Sequence, residues 1–278
     1  MLRQGKAPML KTRIITAAFL IPATLLMLFF LSSTWFCGVT GLVMLAAAWE
    51  WTNLMQVKSL LWRLMYLLFV ITAFFGALFV PIPLIILLAS AWWLIALQLV
   101  IFYPRGSFVF SMHPIVPAIA GIFVLLPCWV ALNFIRNQGD GIYSILFLFI
   151  LIWGADTSAY FVGKKWGKTK LAPIVSPGKS VQGVIGALLF AVILTMAVLA
   201  FMSAPLRIWS WAILLSLVTV IFSVVGDLFE SMLKRQAGLK DSGKMVPGHG
   251  GLLDRIDSLT AAAPIFAACA LALSKFFE

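Results

Sequence analysis

Charged residues are scarce in this sequence: only 10% of its 278 residues are Asp, Glu, Lys or Arg, whereas 63% are hydrophobic. Soluble domains are closer to half apolar and about one quarter charged, so this composition excludes an ordinary soluble protein. Histidine and cysteine are rarer still, with two and three residues. Cys37, Cys128 and Cys269 lie in apolar runs without paired or ligand-like spacing, so we expect core cysteines rather than a disulfide or a zinc site.

Long apolar runs, in contrast, recur along the whole chain. A helix needs about 20 apolar residues to cross the hydrocarbon core of a bilayer. The runs are too long for β-strands and show no period of two. We therefore predict an all-α polytopic membrane protein with about nine transmembrane helices. The predicted spans are 13–32, 34–52, 61–80, 82–102, 114–135, 141–163, 181–202, 207–234 and 258–277.

The basic residues predict the orientation of these spans. All but three of the 20 Lys and Arg residues fall on one side, the exceptions being Arg136, Arg207 and Lys275. Because cytoplasmic loops carry the excess of Lys and Arg, we expect the N-terminus in the cytoplasm and the C-terminus on the opposite side. No A-x-A-like cleavage site ends the first apolar run, so we expect an uncleaved span rather than a signal peptide.

The acidic residues gather near two cytoplasmic segments, 164–180 and 235–257. Asp156 and Asp227 lie inside apolar spans, close to their cytoplasmic ends. A charged side chain at the bilayer centre costs roughly 2.5–3.5 kcal/mol, so both carboxylates should face a polar cavity and have partners. The remaining acids near these segments are Glu230, Asp241, Asp254 and Asp257, whereas we interpret Glu50, Asp140 and Glu278 as peripheral.

The eighth predicted span carries a polar stripe. Ser223, Asp227, Glu230, Ser231 and Lys234 fall on one helical face, which should point into the bundle rather than at lipid. An ion pair with a purely structural role is the alternative for Asp227 and Lys234. Glu230 has a similar alternative, in which it simply pairs with Lys234 one turn further along.

The stretch KDSGKMVPGHGGLLDRIDS, residues 240–258, holds three aspartates, several cations and four glycines. Glycines let a backbone approach a ligand closely. Carboxylates bind Mg²⁺ while Lys and Arg bind phosphate oxygens, so this combination is typical of a site for a polyphosphate and a divalent metal. Because Mg²⁺ needs only one or two carboxylates besides phosphate, Asp227 and Asp254 would suffice. His249 is open to three interpretations: a general base, a phosphate donor or a packing residue.

The other cytoplasmic segment contains five lysines and the stretch Ser176–Ser180, SPGKS. Its PGKS is similar to the end of a P-loop, but the upstream glycines are missing and we predict no strand before it, so a Walker site is excluded. We expect an anion site at the N-terminus of the seventh span. For Lys164, Lys165, Lys168 and Lys170, attraction to anionic lipid is an alternative role.

Residues 231–258 closely resemble the C-terminal signature of bacterial phosphatidate cytidylyltransferases, also called CDP-diacylglycerol synthases. The signature reads S-x-x-K-R, four residues, K-D, a short spacer and H-G-G-x-x-D-R-x-D, and nearly every fixed position matches. The segments GADTSAYFVGKKWGK and KLAPIVSPGKSVQG also look like family segments. Val246, Ser158 and Val181 depart from the common family residues, but none of these changes removes a charge.

The resemblance implies a reaction in which CTP and phosphatidate give CDP-diacylglycerol and pyrophosphate. It implies Mg²⁺ on Asp227 and Asp254, with K⁺ or another monovalent cation as an optional second metal, in the bacterial cytoplasmic (inner) membrane. The expected catalytic residues are Asp227, Asp254, Lys234, Lys240, Asp241, Arg255, Asp257 and His249. The expected substrate-binding residues are Lys179, Ser176, Ser180, Asp156, Arg235, Ser231, Gly250 and Gly251.

We therefore divide the chain into N-terminal transmembrane helices, residues 1–135 with about five spans, and a catalytic transmembrane region, residues 136–278. The expected partners are CTP, phosphatidate and the lipid bilayer, with no nucleic acid. A homodimer is the default expectation for the oligomeric state, because twofold dimers are the commonest oligomers. The alternative functions are a CTP-dependent polyprenol or lipid kinase and an ion-coupled transporter.

Overall fold

The computed structural model describes residues 7–105, 115–248 and 250–277. Nine long α-helices lie within these ranges and overlap the nine predicted spans. They are α1 (Ala7–Phe30), α2 (Ser33–Leu54), α3 (Leu60–Ala77), α4 (Ile82–Ile101), α5 (Ile115–Arg136), α6 (Gly141–Trp166), α7 (Val181–Phe201), α8 (Trp209–Gln236) and α9 (Leu253–Phe277). The prediction of a helical polytopic membrane protein is therefore confirmed.

Seven of these helices, α3 to α9, are long and apolar enough to cross a membrane. Helix α1 contains a shorter apolar stretch, Ala18–Phe30. That nine helices cross, and that the N-terminus is cytoplasmic, stay predictions. Helix α8 has 28 residues, which makes it about 42 Å long at 1.5 Å per residue. Because this exceeds a hydrocarbon core of about 30 Å, α8 must tilt or extend beyond the core.

A short segment between α6 and α7 forms a β-hairpin within this otherwise helical fold. Strands β1 (Lys170–Ala172) and β2 (Ser176–Ser180) form an antiparallel hairpin that leads directly into α7. Pro173 and Pro177 disfavour a helix here, and strand pairing satisfies the backbone groups instead. The expectation that no strand precedes the PGKS stretch was therefore wrong, since β1 precedes it, although the glycines of a Walker site are still missing. The Gln182 side chain accepts hydrogen bonds from the backbone N–H groups of Lys168 and Thr169, both at 3.1 Å, and so ties the hairpin to α7.

The two predicted cytoplasmic segments are also shorter than expected. Residues 164–166 complete α6, and the segment between α8 and α9 spans only 237–252. We name this second segment the acidic loop, since it carries Asp241 and leads into Asp254. Helix α9 begins at Leu253 rather than near 258, so Asp254 and Asp257 lie in its first two turns and share one face.

Helices α8 and α9 pack closely because small residues face each other. A Cβ atom added at Gly226 of α8 would lie 2.5 Å from the carbonyl oxygen of Asp257 and 3.0 Å from the Cβ of Ala261. In a membrane, small residues at such interfaces allow the backbones to approach. The contact at Gly226 therefore helps to set the distance between the acidic face of α9 and the polar stripe of α8.

We predict that Gly226→Ala destabilises the protein. The new methyl group meets a backbone carbonyl that cannot rotate away, and overpacking of this kind costs about 1–3 kcal/mol, more than the roughly 1 kcal/mol gained in helix propensity. The thermal unfolding midpoint in detergent should fall. Gly76→Ala in α3 is the matched control, because a Cβ there has no neighbour within 4 Å. An equal or higher midpoint for Gly226→Ala than for Gly76→Ala would contradict this packing.

Candidate active site

A cavity of about 1420 Å³ opens between α6, the hairpin, α8 and α9. It brings together most of the charged residues singled out in the sequence. The predicted site residues that line it are Asp156, Ser176, Lys179, Ser180, Asp227, Lys234, Asp241, Asp254, Arg255 and Asp257. The two segments chosen from the charge pattern therefore face one common space.

At one wall of this cavity the hairpin meets α8. Lys179 Nζ lies 2.6 Å from Asp227 Oδ2, and Ser231 Oγ donates to Asp227 Oδ1 at 3.2 Å. Ser231 stands one helical turn after Asp227, so α8 supplies both members of that hydrogen bond. The Lys179 and Asp227 side chains keep 25% and 29% of their surface exposed. Both groups remain within reach of a ligand in the cavity.

A second, more deeply buried cluster joins α8 to α9. Lys234 Nζ lies 2.6 Å from Asp254 Oδ1 and 3.1 Å from Glu230 Oε1. The Lys234 side chain is 10% exposed and those of Asp254 and Glu230 are 5% and 4% exposed. Buried charges at this depth require partners. The interpretation of Glu230 as a partner of Lys234 one turn along is confirmed, and Lys234, predicted as a phosphate ligand, is engaged by these two carboxylates.

Backbone groups of the acidic loop complete the environment of Asp254. The N–H groups of Ser242 and Gly251 donate to Asp254 Oδ2 at 2.9 and 2.8 Å. The loop turns back on itself at Gly250, whose φ of +90° favours glycine. A Cβ at Gly250 would lie 3.1 Å from Asp254 Oδ2 and 3.2 Å from the Cβ of Asp241. Gly250 packs against Asp254 and Gly251 donates to it, and that these two glycines contact substrate stays a prediction.

Several other predicted residues hold the local fold together. Arg235 Nε donates to the Val175 carbonyl at 3.3 Å and Nη1 donates to the Leu239 carbonyl at 3.4 Å, so this side chain links the hairpin to the end of α8. Ser180 Oγ accepts from the Gly183 N–H at 3.2 Å and caps α7. The residues predicted for the site that do not line the cavity are Ser231, Arg235, Lys240, Gly250 and Gly251. His249 lies outside the described residues.

Sequence reasoning missed one residue of this region. Glu50, at the end of α2, is only 1% exposed and touches the acidic loop, so its interpretation as peripheral is wrong. The signal was available in the sequence, because Glu50 is the only acidic residue before Asp140 and lies in an apolar run. The same reasoning that selected Asp156 and Asp227 should have selected Glu50.

The carboxylates of the cavity fit a metal that is shared with a ligand rather than one enclosed by protein. Among the described residues, no group of three or more His, Cys, Asp or Glu side chains is placed to hold a metal ion. Asp227 and Asp254 nevertheless line the same cavity, and their partners occupy two and three, respectively, of the about four lone-pair sites of a carboxylate. Mg²⁺ is suited to such a site, because it binds one or two carboxylates and completes its octahedron with phosphate and water.

Known proteins are similar in sequence to almost the whole of this chain. Residues 11–273 match the model of a family described as the cytidylyltransferase family. A phosphatidate cytidylyltransferase of Haemophilus influenzae is 39% identical over 285 residues, covering 93% of this chain and 97% of that protein. A phosphatidate cytidylyltransferase of Pseudomonas aeruginosa is 42% identical over 262 residues, covering 94% of this chain and 96% of that protein.

The two lysine–carboxylate pairs should respond differently to loss of the lysine. Lys234→Met leaves two buried carboxylates without their cation, which typically costs about 3–5 kcal/mol and should lower the unfolding midpoint by on the order of 10 °C. Lys179→Met breaks a partly exposed pair worth about 0–1 kcal/mol, so the midpoint should change little. Thermal unfolding of both variants in the same detergent checks this. Equal midpoints would contradict the assignment of Lys234 to the buried framework.

Proposed function

This chain belongs to the cytidylyltransferase family, and from that premise we propose that it transfers the cytidylyl group of CTP to phosphatidate, giving CDP-diacylglycerol and pyrophosphate. The observation that carries the proposal is the cavity, in which a charged end and an apolar end are continuous. A cavity lined in this way can receive both the phosphates of a water-soluble triphosphate and the acyl chains of a membrane lipid.

The apolar end of the cavity lies between the first helices and α6. It is lined by Met27 of α1, Val43 and Met44 of α2, and Phe149 and Trp153 of α6. The volume of about 1420 Å³ exceeds the roughly 300–1,000 Å³ of most small-molecule pockets. This supports simultaneous binding of two substrates, with acyl chains at the apolar end and phosphates at the charged end.

The reaction asks the protein mainly to manage negative charge. A phosphatidate oxygen forms a new bond to the α-phosphorus of CTP, and the bond from that phosphorus to the pyrophosphate oxygen breaks. The attacking phosphate monoester is already largely ionised at neutral pH, since its second pKa is near 6, so no strong base is needed. The protein must hold two anions together, align them and stabilise the leaving pyrophosphate.

The cavity lining includes five cationic residues, Lys164, Lys170, Lys179, Lys234 and Arg255. Lys179 lies on the hairpin and Arg255 in the first turn of α9. We assign them to phosphate binding, because Lys offers a point charge and Arg a fork of donors that fits phosphate oxygens. Lys234 contributes its charge from deeper in the wall, where it also holds Asp254. Asp156, Asp241 and Asp257 are assigned to orienting lysines and water.

We assign Asp227 and Asp254 to the binding of Mg²⁺. A bound Mg²⁺ supplies positive charge to the phosphate oxygens and orients them. The protein's part is to hold two carboxylates on facing helices, and the contacts of Ser231 with Asp227 and of Ser242 and Gly251 with Asp254 do this. A second, monovalent cation such as K⁺ is an optional part of this proposal, and adding K⁺ to the assay tests it.

We further propose that the charged end of the cavity faces the cytoplasm of a bacterial cell, at the cytoplasmic membrane. The excess of Lys and Arg on that side supports this orientation, and the relatives compared above are bacterial. CTP would then enter from the cytoplasm and phosphatidate from the bilayer. A homodimer is the first oligomeric state to test.

The test uses purified protein in detergent with phosphatidate, Mg²⁺ and CTP labelled at either the α- or the γ-phosphate. We expect α-label in the lipid product, loss of labelling with EDTA, and restoration by added Mg²⁺. Lipid labelled only from the γ-phosphate would overturn the proposal in favour of a lipid kinase. Failure to label lipid from either position would also reject it.

The same assay tests the assignment of Asp227. Asp227→Asn should lower kcat/KM by at least about 100-fold, a loss typical of removing one charged group from the transition-state environment. The variant should remain folded, because Asp227 is partly exposed and its partner Lys179 can turn to solvent. Asp140→Asn, the same chemical change at an exposed position before α6, is the control and should keep its activity. Activity of Asp227→Asn within a few-fold of the unaltered protein would contradict the assignment.

A further inference from the structure

Glu50 lies against the acidic loop although it belongs to α2, nearly 200 residues away in the chain. Its Oε2 accepts from the Leu253 N–H at 2.9 Å and from Ser242 Oγ at 3.3 Å, and its Oε1 accepts from the Met245 N–H at 3.4 Å. Ser242 and Met245 lie in the middle of the loop, and Leu253 follows its last residue. One carboxylate therefore contacts both the middle of the loop and its junction with α9.

The fit between Glu50 and the loop is close. Cβ atoms added at Gly243 or Gly251 would collide with the Glu50 carboxylate, so the loop backbone lies directly on it. One turn further along α2, Asn53 Nδ2 donates to the Ser242 carbonyl at 2.8 Å. The end of α2 thus offers both an acceptor and a donor to the same short segment.

The charge of Glu50 is balanced by backbone dipoles rather than by a cation. The three salt bridges found among the described residues do not include it. Its shortest hydrogen bond comes from Leu253, the first residue of α9, where the helix dipole and free N–H groups favour a negative charge. Glu50 therefore caps α9 from outside the helix and ties the end of the loop to α2.

The same loop holds Asp254 on its other side. The Ser242 hydroxyl donates a hydrogen bond to Glu50 Oε2, and the Ser242 backbone N–H donates one to Asp254 Oδ2. Gly251 packs against Glu50 and donates its N–H to Asp254 Oδ2. Asp254 in turn binds Lys234. The two carboxylates thus share one strip of backbone, and moving Glu50 should release both backbone donors of Asp254.

We propose that Glu50 is a positioning residue, which fixes the acidic loop so that Asp254 and Lys234 keep their places in the cavity. The proposal rests on the proposed function, because it concerns the same site. Glu50 does not line the cavity, so it acts through the loop and touches neither substrate. Through Glu50, α2 supports a site whose other charged residues all lie in the second half of the chain.

The test compares Glu50→Gln and Glu50→Ala with Thr52→Val. Glu50→Gln keeps the shape and one acceptor oxygen but presents an amide N–H₂ to donors, whereas Glu50→Ala removes every contact. Thr52 is the matched control: it is fully buried on the same helix, and among the described residues its hydroxyl donates only to the Trp49 carbonyl of α2 itself. If Glu50→Ala does not fold, Glu50→Gln decides the question alone.

Amide hydrogen exchange in detergent is the first measurement. In Glu50→Gln, exchange across residues 241–253 should be at least about tenfold faster than in Thr52→Val, while exchange in α5 and α6 stays unchanged. The kcat/KM for CTP should fall by about 10- to 100-fold, the range seen when supporting residues of a site are lost. This decrease in kcat/KM should be greater than the decrease in the fraction of folded protein. It should be larger in Glu50→Ala than in Glu50→Gln, provided that Glu50→Ala folds.

A purely structural role predicts a different pattern. The unfolding midpoints of Glu50→Gln and Thr52→Val would then fall by similar amounts, and amide exchange would become faster over the whole of α2. KM would not change, and kcat would fall only in proportion to the fraction of folded protein. That pattern overturns the proposal, as does unchanged exchange in residues 241–253. Faster loop exchange with kcat/KM within twofold of the unaltered protein also overturns it. If the unaltered protein does not transfer the cytidylyl group, the proposed function fails, yet the exchange data still decide whether Glu50 holds the loop.

Discussion

The buried ion pair between Lys234 and Asp254 is the contact on which the site depends. It joins α8 to the first turn of α9 at 2.6 Å, with both side chains almost removed from solvent. Two charges in such a place require each other, because either one alone would bear an uncompensated desolvation cost. The pair therefore fixes where α9 begins relative to the end of α8. The backbone of the acidic loop satisfies the other oxygen of Asp254 and so must follow the same path.

The scarcity of charge elsewhere in the chain follows from this arrangement. An apolar bundle cannot carry unpaired carboxylates, so nearly all of the acids occupy the one region where lysines and backbone donors meet them. Both pairs line the cavity, but the buried pair also maintains the framework, whereas the pair of Lys179 and Asp227 is more exposed. Two pairs of the same chemistry thus have different tasks because their exposure differs. Phosphates bound in the cavity would meet cations that are already held in position.

The sequence predicted the helices well, because long apolar runs permit few structures in a membrane. It also selected the residues that share the cavity, since acids near two basic segments are hard to explain otherwise. It did not predict the hairpin, whose strands are three and five residues long and carry no periodic signal. It predicted Glu230 as a partner of Lys234, but not Asp254, and it did not predict the framework contacts of Arg235, Gly250 and Gly251. The place of Glu50 in an apolar run was a signal that it needs partners, but the sequence does not identify those partners, because they lie almost 200 positions later. The division of the chain at residue 135 stays a prediction.

The central claim is that one cavity receives the triphosphate between the two lysine–carboxylate pairs. A structure of the protein with CTP and Mg²⁺ tests it most directly. The account predicts phosphate oxygens in contact with Lys179 and Arg255, and a metal ion that touches Asp227 and Asp254. A triphosphate bound outside the cavity, at exposed lysines such as Lys165 and Lys168, with Asp227 and Asp254 still in contact only with protein groups, would contradict it.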